Sequence, residues 1–330
     1  MALDRSAQTA LLYHKRGQFQ AFLGIMAELT LLTKPLYYTP VGQATNGHLT
    51  LGGAEMASKI RVALTWLLLT AVFTAAACLL PCKLPLAFDW LHFFKDAHNV
   101  PAFYPPWTCY VCELLTWPLL IGLTLSTYAV AVMRRAQSLA SAAAAFFAMP
   151  LWWALFLGQL DGLALLGVLG LPWLVPLALM KPQVAGFAIL ARRKSVIAAV
   201  CFVLLSFALW GFWPTRLLSY YTEHANATKW PQYIGLGLGG LPLALIILWA
   251  VPGWDADKLM LAGAFIVPTL IPYQLLPLMP AIARLPGWLA WIVALSSWLP
   301  VMSIWWGGMG WWLTWVCVLL IGAGLARRNE

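Results

Sequence analysis

The chain has 330 residues, of which 62% are hydrophobic and 9% charged, and its mean hydropathy is +0.80. Such a composition leaves too little polar surface to coat a soluble fold of this size, so it excludes a water-soluble globular domain and makes lipid the expected solvent. The net charge of +9 would suggest a nucleic-acid partner in a soluble protein. Here the basic residues fall in short loops, with no extended basic surface interleaved with aromatics, so no nucleic acid is expected.

Residues 1–55 are mixed in polarity, contain no 18-residue apolar run and lack the order of a signal peptide. Because Met56-Ala-Ser-Lys-Ile-Arg61 leads straight into the first apolar run, much as an ordinary start would, the preceding segment is either a cytoplasmic arm or an upstream extension of the reading frame. The chain therefore divides into an N-terminal extension, 1–55, and a membrane domain, 56–330.

Apolar runs long enough to cross roughly 30 Å of hydrocarbon follow at about 62–81, 114–133, 138–157, 162–180, 195–214, 234–252, 288–306 and 309–326. Each reads as a helix, because backbone groups in lipid must satisfy themselves and the runs lack the alternation of barrel strands. Two stretches do not fit simple spans. The ten residues from Pro182 to Ala191 are too few to cross and read as a short or re-entrant segment. Leu259 to Ala283 reads as two short helices meeting at Pro268-Thr-Leu-Ile-Pro272, since irregular backbone at membrane depth is tolerated where it lines a protein-enclosed cavity. The expectation is an all-α polytopic membrane protein of about ten transmembrane helices with short re-entrant or interfacial helices.

The basic residues report orientation. With Lys59 and Arg61 cytoplasmic, Arg134, Arg135, Lys181, Arg192, Arg193, Lys194, Lys258, Arg284, Arg327 and Arg328 share that side, and both termini are cytoplasmic. Lys83, Lys95, Arg216 and Lys229 lie opposite. Of the six cysteines, Cys109 and Cys112 have metal or redox spacing, but they open an apolar helix without a second ligand pair. They read as small packing thiols; a disulfide between the Cys78/Cys82 and Cys109/Cys112 regions stays open.

The first outer loop reads Leu86-Ala-Phe-Asp89-Trp-Leu-His92-Phe-Phe-Lys95-Asp96-Ala-His98 and continues to Phe103-Tyr104-Pro-Pro-Trp107. Its aromatics around Asp89 suit a helix lying in the headgroup layer, either as a plain aromatic belt or as the frame of a site. Beyond the third run comes Gly158-Gln159-Leu-Asp161-Gly162, where Asp161 is a site acid or a helix N-cap. The fourth run ends in Lys181-Pro182-Gln183, where the lysine is a site cation or a snorkelling anchor.

In this order, an Asp soon after the first span, Phe-Tyr-Pro-Pro before the second, Arg134-Arg135 after it, Gly-Gln-x-Asp, Lys-Pro-Gln and a proline-broken helix carrying Tyr273-Gln274 resemble glycosyltransferase family 87. These are bacterial polyprenyl-phosphate-mannose-dependent mannosyltransferases of the C-type membrane glycosyltransferase fold. The resemblance covers roughly residues 60–285. It implies sugar transfer from a polyprenyl-phosphate donor to a hydroxyl of a glycan or glycolipid acceptor at the outer face of the cell membrane. Asp89 is then the catalytic base, with Asp96 the second candidate. Tyr104, Gln159, Asp161, Lys181, Tyr273 and Gln274 are the expected substrate-binding residues. The family often carries one or two histidines where this chain has Tyr273-Gln274.

No cofactor and no metal cluster are expected, the lipid-linked sugar being a substrate, although Asp89 and Asp161 as an acid pair would be able to recruit a divalent ion. The competing readings are a transporter or flippase of a lipid-linked or small polar solute, and a non-catalytic member of the same fold. A transporter should carry ionisable groups along a path through the bilayer, whereas here the acids gather on one face and the spans are nearly free of charge apart from Glu113.

Overall fold

The computed structural model describes residues 51–96, 104–216, 219 and 233–327. The expectations for residues 1–50 and for Lys229 lie outside these, as does His98. Among the described residues every regular element is helical. The first helix starts at Leu51 and runs through Met56 to Ala77.

Among the described residues four helices are long and apolar enough to cross a membrane: Ile60–Ala77, Arg193–Trp210, Gly287–Trp306 and Gly308–Ala326. Counting each of two bent pairs as one span raises the number to six. The expected ten crossings are thus corrected to between four and six, and the cause lies in proline and glycine inside the apolar runs. Proline lacks an N–H and its ring obstructs the preceding turn, so a run that is continuous in hydropathy need not be continuous as a helix. The run at 138–157 divides into Leu139–Phe147 and Met149–Leu157, bent by 43° where extended Ala148 precedes Pro150. Trp107–Glu113 meets Trp117–Met133 at 106°, the second helix starting with Thr116 as its cap (Thr116 Oγ1 to Leu119 N–H, 3.4 Å).

The run at 162–180 departs furthest from expectation. It forms two helices, Asp161–Leu169 and Val175–Met180, separated by a turn containing Gly170 and Pro172. They pack side by side, so closely that a Cβ at Gly167 would lie 2.2 Å from the backbone N of Ala178. The run therefore doubles back instead of crossing, and Lys181 returns beside Asp161 (2.8 Å). The expectation that Lys181 and Asp161 lie on opposite faces is corrected accordingly. Periodicity cannot distinguish a hairpin from a span when both legs are wholly apolar. The next segment, the short helix Pro182–Ala185 continuing as a 3₁₀ helix Gly186–Ala191, leads from Lys181 to the Arg192-Arg193-Lys194 cluster.

Near the end of the site-bearing region the chain breaks between the helix Ala256–Ile266 and the 3₁₀ helix Pro272–Arg284. Pro272, Pro277 and Pro280 each withhold a backbone donor, which removes the i to i−4 ladder of an α-helix. This irregular rod is buried along Pro272–Ala283. It packs against Leu139–Phe147, Met149–Leu157 and Asp161–Leu169, as the spine of the larger hydrophobic core. Three ion pairs anchor its far end: Arg135 grips Asp257 (2.9 Å), and Arg284 bonds both Asp255 (2.8 Å) and Asp257 (3.0 Å). Two of the acids thus sit with cations away from Asp89, which corrects the expectation that the acids gather on one face.

Candidate functional site

Four separate segments bring Asp89, Gln159, Asp161, Lys181 and Tyr273 into one buried polar cluster. Residual exposure is 9% for Asp89, 4% for Gln159, 1% for Asp161, 3% for Lys181 and 8% for Tyr273, so contacts within the cluster replace those with water.

Local structure explains how each side chain arrives. The loop before Asp89 is pinned to the end of the helix Met149–Leu157 by the Ala87 N–H, which donates to Phe156 O (2.7 Å). A single π turn, Trp90–Phe94, follows Asp89 and buries Trp90 and Phe94. The helix Met149–Leu157 ends at Gly158 in the left-handed conformation (φ 75°, ψ 46°), which reverses the chain and turns Gln159 inward. A Cβ at Gly158 would stand 2.6 Å from Trp90 Cβ. Glycine therefore serves here both for its backbone freedom and for the close approach of the loop carrying Asp89. Asp161 opens the next helix. Lys181 follows the hairpin's second leg, which the Trp107 indole N–H holds by donating to Pro176 O (3.0 Å). Tyr273 lies in the first turn of the proline-rich 3₁₀ helix.

The hydrogen bonds form a chain. Lys181 Nζ donates to Asp161 Oδ2 (2.8 Å) and to Gln159 Oε1. Gln159 Nε2 donates to Asp89 Oδ2 and to Tyr273 Oη (3.2 Å). The ammonium also lies over the Tyr273 ring, 4.9 Å from its centroid, and 5.9 Å from that of Tyr104. With two acids and one ammonium, the cluster carries one surplus carboxylate. Asp161 is the acid directly paired with Lys181, and Asp89 is linked to the ammonium through the Gln159 amide. Burial pushes the Asp89 carboxyl above the ordinary carboxylate range; Lys181 and the Gln159 amide oppose the rise, Asp161 adds to it, and His92 opposes it.

Two expected residues fall differently. Tyr104 borders the cluster, edge-on to Phe94 (5.4 Å between centroids). Gln274 points its carbonyl to the backbone N–H of Ile271 (2.9 Å), closing the start of its own 3₁₀ helix, and makes no bond to the polar chain. Sequence reasoning treated it as one unit with Tyr273, but adjacent residues on a helix diverge by roughly a third of a turn. Asp96 is exposed, outside the buried chain of bonds.

A cavity of about 650 Å³, lined by none of the five cluster residues, reaches the cluster through Trp153. Its wall is almost wholly apolar and includes Trp117, Trp152, Trp153, Phe156, Trp298 and Trp311. Trp153 belongs to both regions, lining the cavity while its ring meets that of Tyr273 at 5.8 Å. Sequence reasoning missed this cavity. The signal was the Trp152-Trp153 pair just ahead of Gly158-Gln159, which looks like any other aromatic pair until the helix is placed. Among the described residues no three His, Cys, Asp or Glu side chains gather as a metal site, and the six cysteines are free thiols. No protein-family model, curated protein or solved structure matches the chain.

Proposed function

We propose that this protein is a membrane glycosyltransferase of the C-type architecture. It moves a sugar, mannose or another hexose, from a polyprenyl-phosphate donor to a hydroxyl of a glycan or glycolipid acceptor at the outer face of the cell membrane, with both termini cytoplasmic. The observation that carries the reading is the buried chain Asp161–Lys181–Gln159–Asp89 set against a large apolar cavity. A lipid-linked phosphate sugar needs both halves: an apolar room for its tail, within the roughly 300–1,000 Å³ of ordinary ligand pockets, and a polar end where proton and phosphate chemistry takes place.

In this mechanism the acceptor oxygen attacks the anomeric carbon while its proton passes to Asp89. The bond from that carbon to the phosphate oxygen breaks, and the polyprenyl phosphate leaves with the electron pair. Lipid phosphate is already a competent leaving group, so its growing charge needs donors more than a proton. Tyr104 at the edge of the cluster and Arg216 of the second outer loop are the candidates for that role. A raised carboxyl suits the task, because a base works best when its pKa approaches the working pH.

The deciding experiment is transfer by the purified protein from a panel of polyprenyl-phosphate sugars. Wild type transfers at least one of them. Asp89→Asn keeps shape and lowers the rate by about a hundredfold or more, and Asp96→Asn is much less affected. Full activity in Asp89→Asn refutes the assignment, and no transfer from any donor by wild type refutes the function.

A further inference from the structure

We propose that Lys181 and Asp161 are positioning residues for Asp89, acting through the amide of Gln159, and that Lys181 does not serve as the cation for the donor's phosphate. The proposal rests on the transferase reading for the role of Asp89 but has a readout of its own.

The argument begins with what each group is able to do. An ammonium has three donors and no acceptor, so the Gln159 atom facing Lys181 must be its carbonyl oxygen. That fixes the other end of the amide. Its nitrogen, a donor only, is turned to Asp89 and to the Tyr273 hydroxyl, and both of its protons are used there. Without Lys181 the amide would be free to flip and present an oxygen to the carboxylate.

Lys181 is in turn fixed by Asp161 at 2.8 Å, and the two side chains are 3% and 2% exposed. One N–H of the ammonium goes to Asp161 and one to Gln159, and its charge lies over the Tyr273 ring. Two of its three N–H donors are thus taken within a side chain only 3% exposed, so an incoming phosphate would have to open the cluster to reach the third. The hairpin fold gives the same message, because doubling back is what places Lys181 beside Asp161. The titratable groups facing Asp89 are Lys181, Asp161 and His92, with the Tyr273 hydroxyl beside Gln159.

The test reads Asp89 directly. Full-length protein is labelled with carboxyl-¹³C aspartate in detergent, the Asp89 signal is identified by its loss in Asp89→Asn, and its titration is followed in variants. Gln159→Leu changes no charge, yet it should move the midpoint upward by about 1–2 pH units, the worth of one hydrogen bond to a charged group. Lys181→Met should move it upward as well, and in the Gln159→Leu background the same change should have a smaller effect, the part that remains being the direct attraction of the ammonium for Asp89. An unmoved midpoint in Gln159→Leu overturns the proposal, and it does so even if Lys181→Met fails to fold. Equal effects of Lys181→Met with and without the amide also overturn it, since Lys181 would then act as a bare charge. The acid limb of sugar transfer should shift with the titration. If the titration behaves as described while wild type transfers no sugar, the positioning stands and the transferase reading alone fails.

Discussion

Gly158→Ala tests how the site is assembled. The residue has φ 75° and ψ 46°, where an L side chain is disfavoured by about 1–2 kcal/mol. Its new methyl would also lie 2.6 Å from Trp90 Cβ and 3.4 Å from the Trp117 indole edge. The first contact is with a Cβ, which rotation of a side chain cannot move, so the backbone must give way; such overpacking costs about 1–3 kcal/mol. Together the two effects should destabilise the protein by about 2–5 kcal/mol. Unfolding in mixed micelles by titration with denaturing detergent measures this against wild type. Because Trp90 is the neighbour of Asp89 and Gly158 that of Gln159, the same variant should separate the two and slow transfer well beyond what its stability alone predicts. A loss below about 0.5 kcal/mol, the ordinary range for a surface change, would refute the placement of the loop against the helix end.

Three further outcomes follow from the structure. Arg135→Leu leaves the buried Asp257 with only Arg284 and should cost about 1.5–3 kcal/mol, the worth of hydrogen bonds to a charged group, since the remaining cation still compensates the carboxylate; a variant melting like wild type in detergent would show that the pair is exchanged for water. The Asp89 carboxyl lies above the ordinary carboxylate value of about 3.9, and base catalysis needs the ionised form, so the transfer rate should fall as pH drops through that raised value; an acid limb at or below the ordinary range contradicts it. The linkage has the opposite sign, since the protonated form is favoured in the fold: the stability Asp89 contributes is present at low pH and is lost as pH rises from the ordinary value through the raised one, which pH-dependent unfolding of wild type against Asp89→Asn measures. In a background lacking the native exposed cysteines, single cysteines at Phe88 and Lys181 should not label from opposite sides of the membrane; labelling of 88 and 181 from opposite sides restores the crossing that the hairpin replaces.

The sequence by itself determined the solvent and the element type. With so few charged residues the chain has to be helical in lipid, because a backbone without water must bond to itself. It also carried the candidate set. Asp89, Gln159, Asp161, Lys181 and Tyr273 entered through short motifs whose order resembles a known family, and the prolines around 268–272 marked the break that presents Tyr273. Hydropathy could not tell which runs cross and which fold back. A leg of a buried hairpin and half of a span are equally apolar, and the close approach of Gly167 to Ala178 exists only once the legs are packed. For the same reason Lys181 and Asp161 were expected on opposite faces, Gln274 was taken with Tyr273, and the cavity beside Trp153 went unseen. Each depends on direction around a helix axis or on contact between segments far apart in sequence, and only the tertiary structure supplies those.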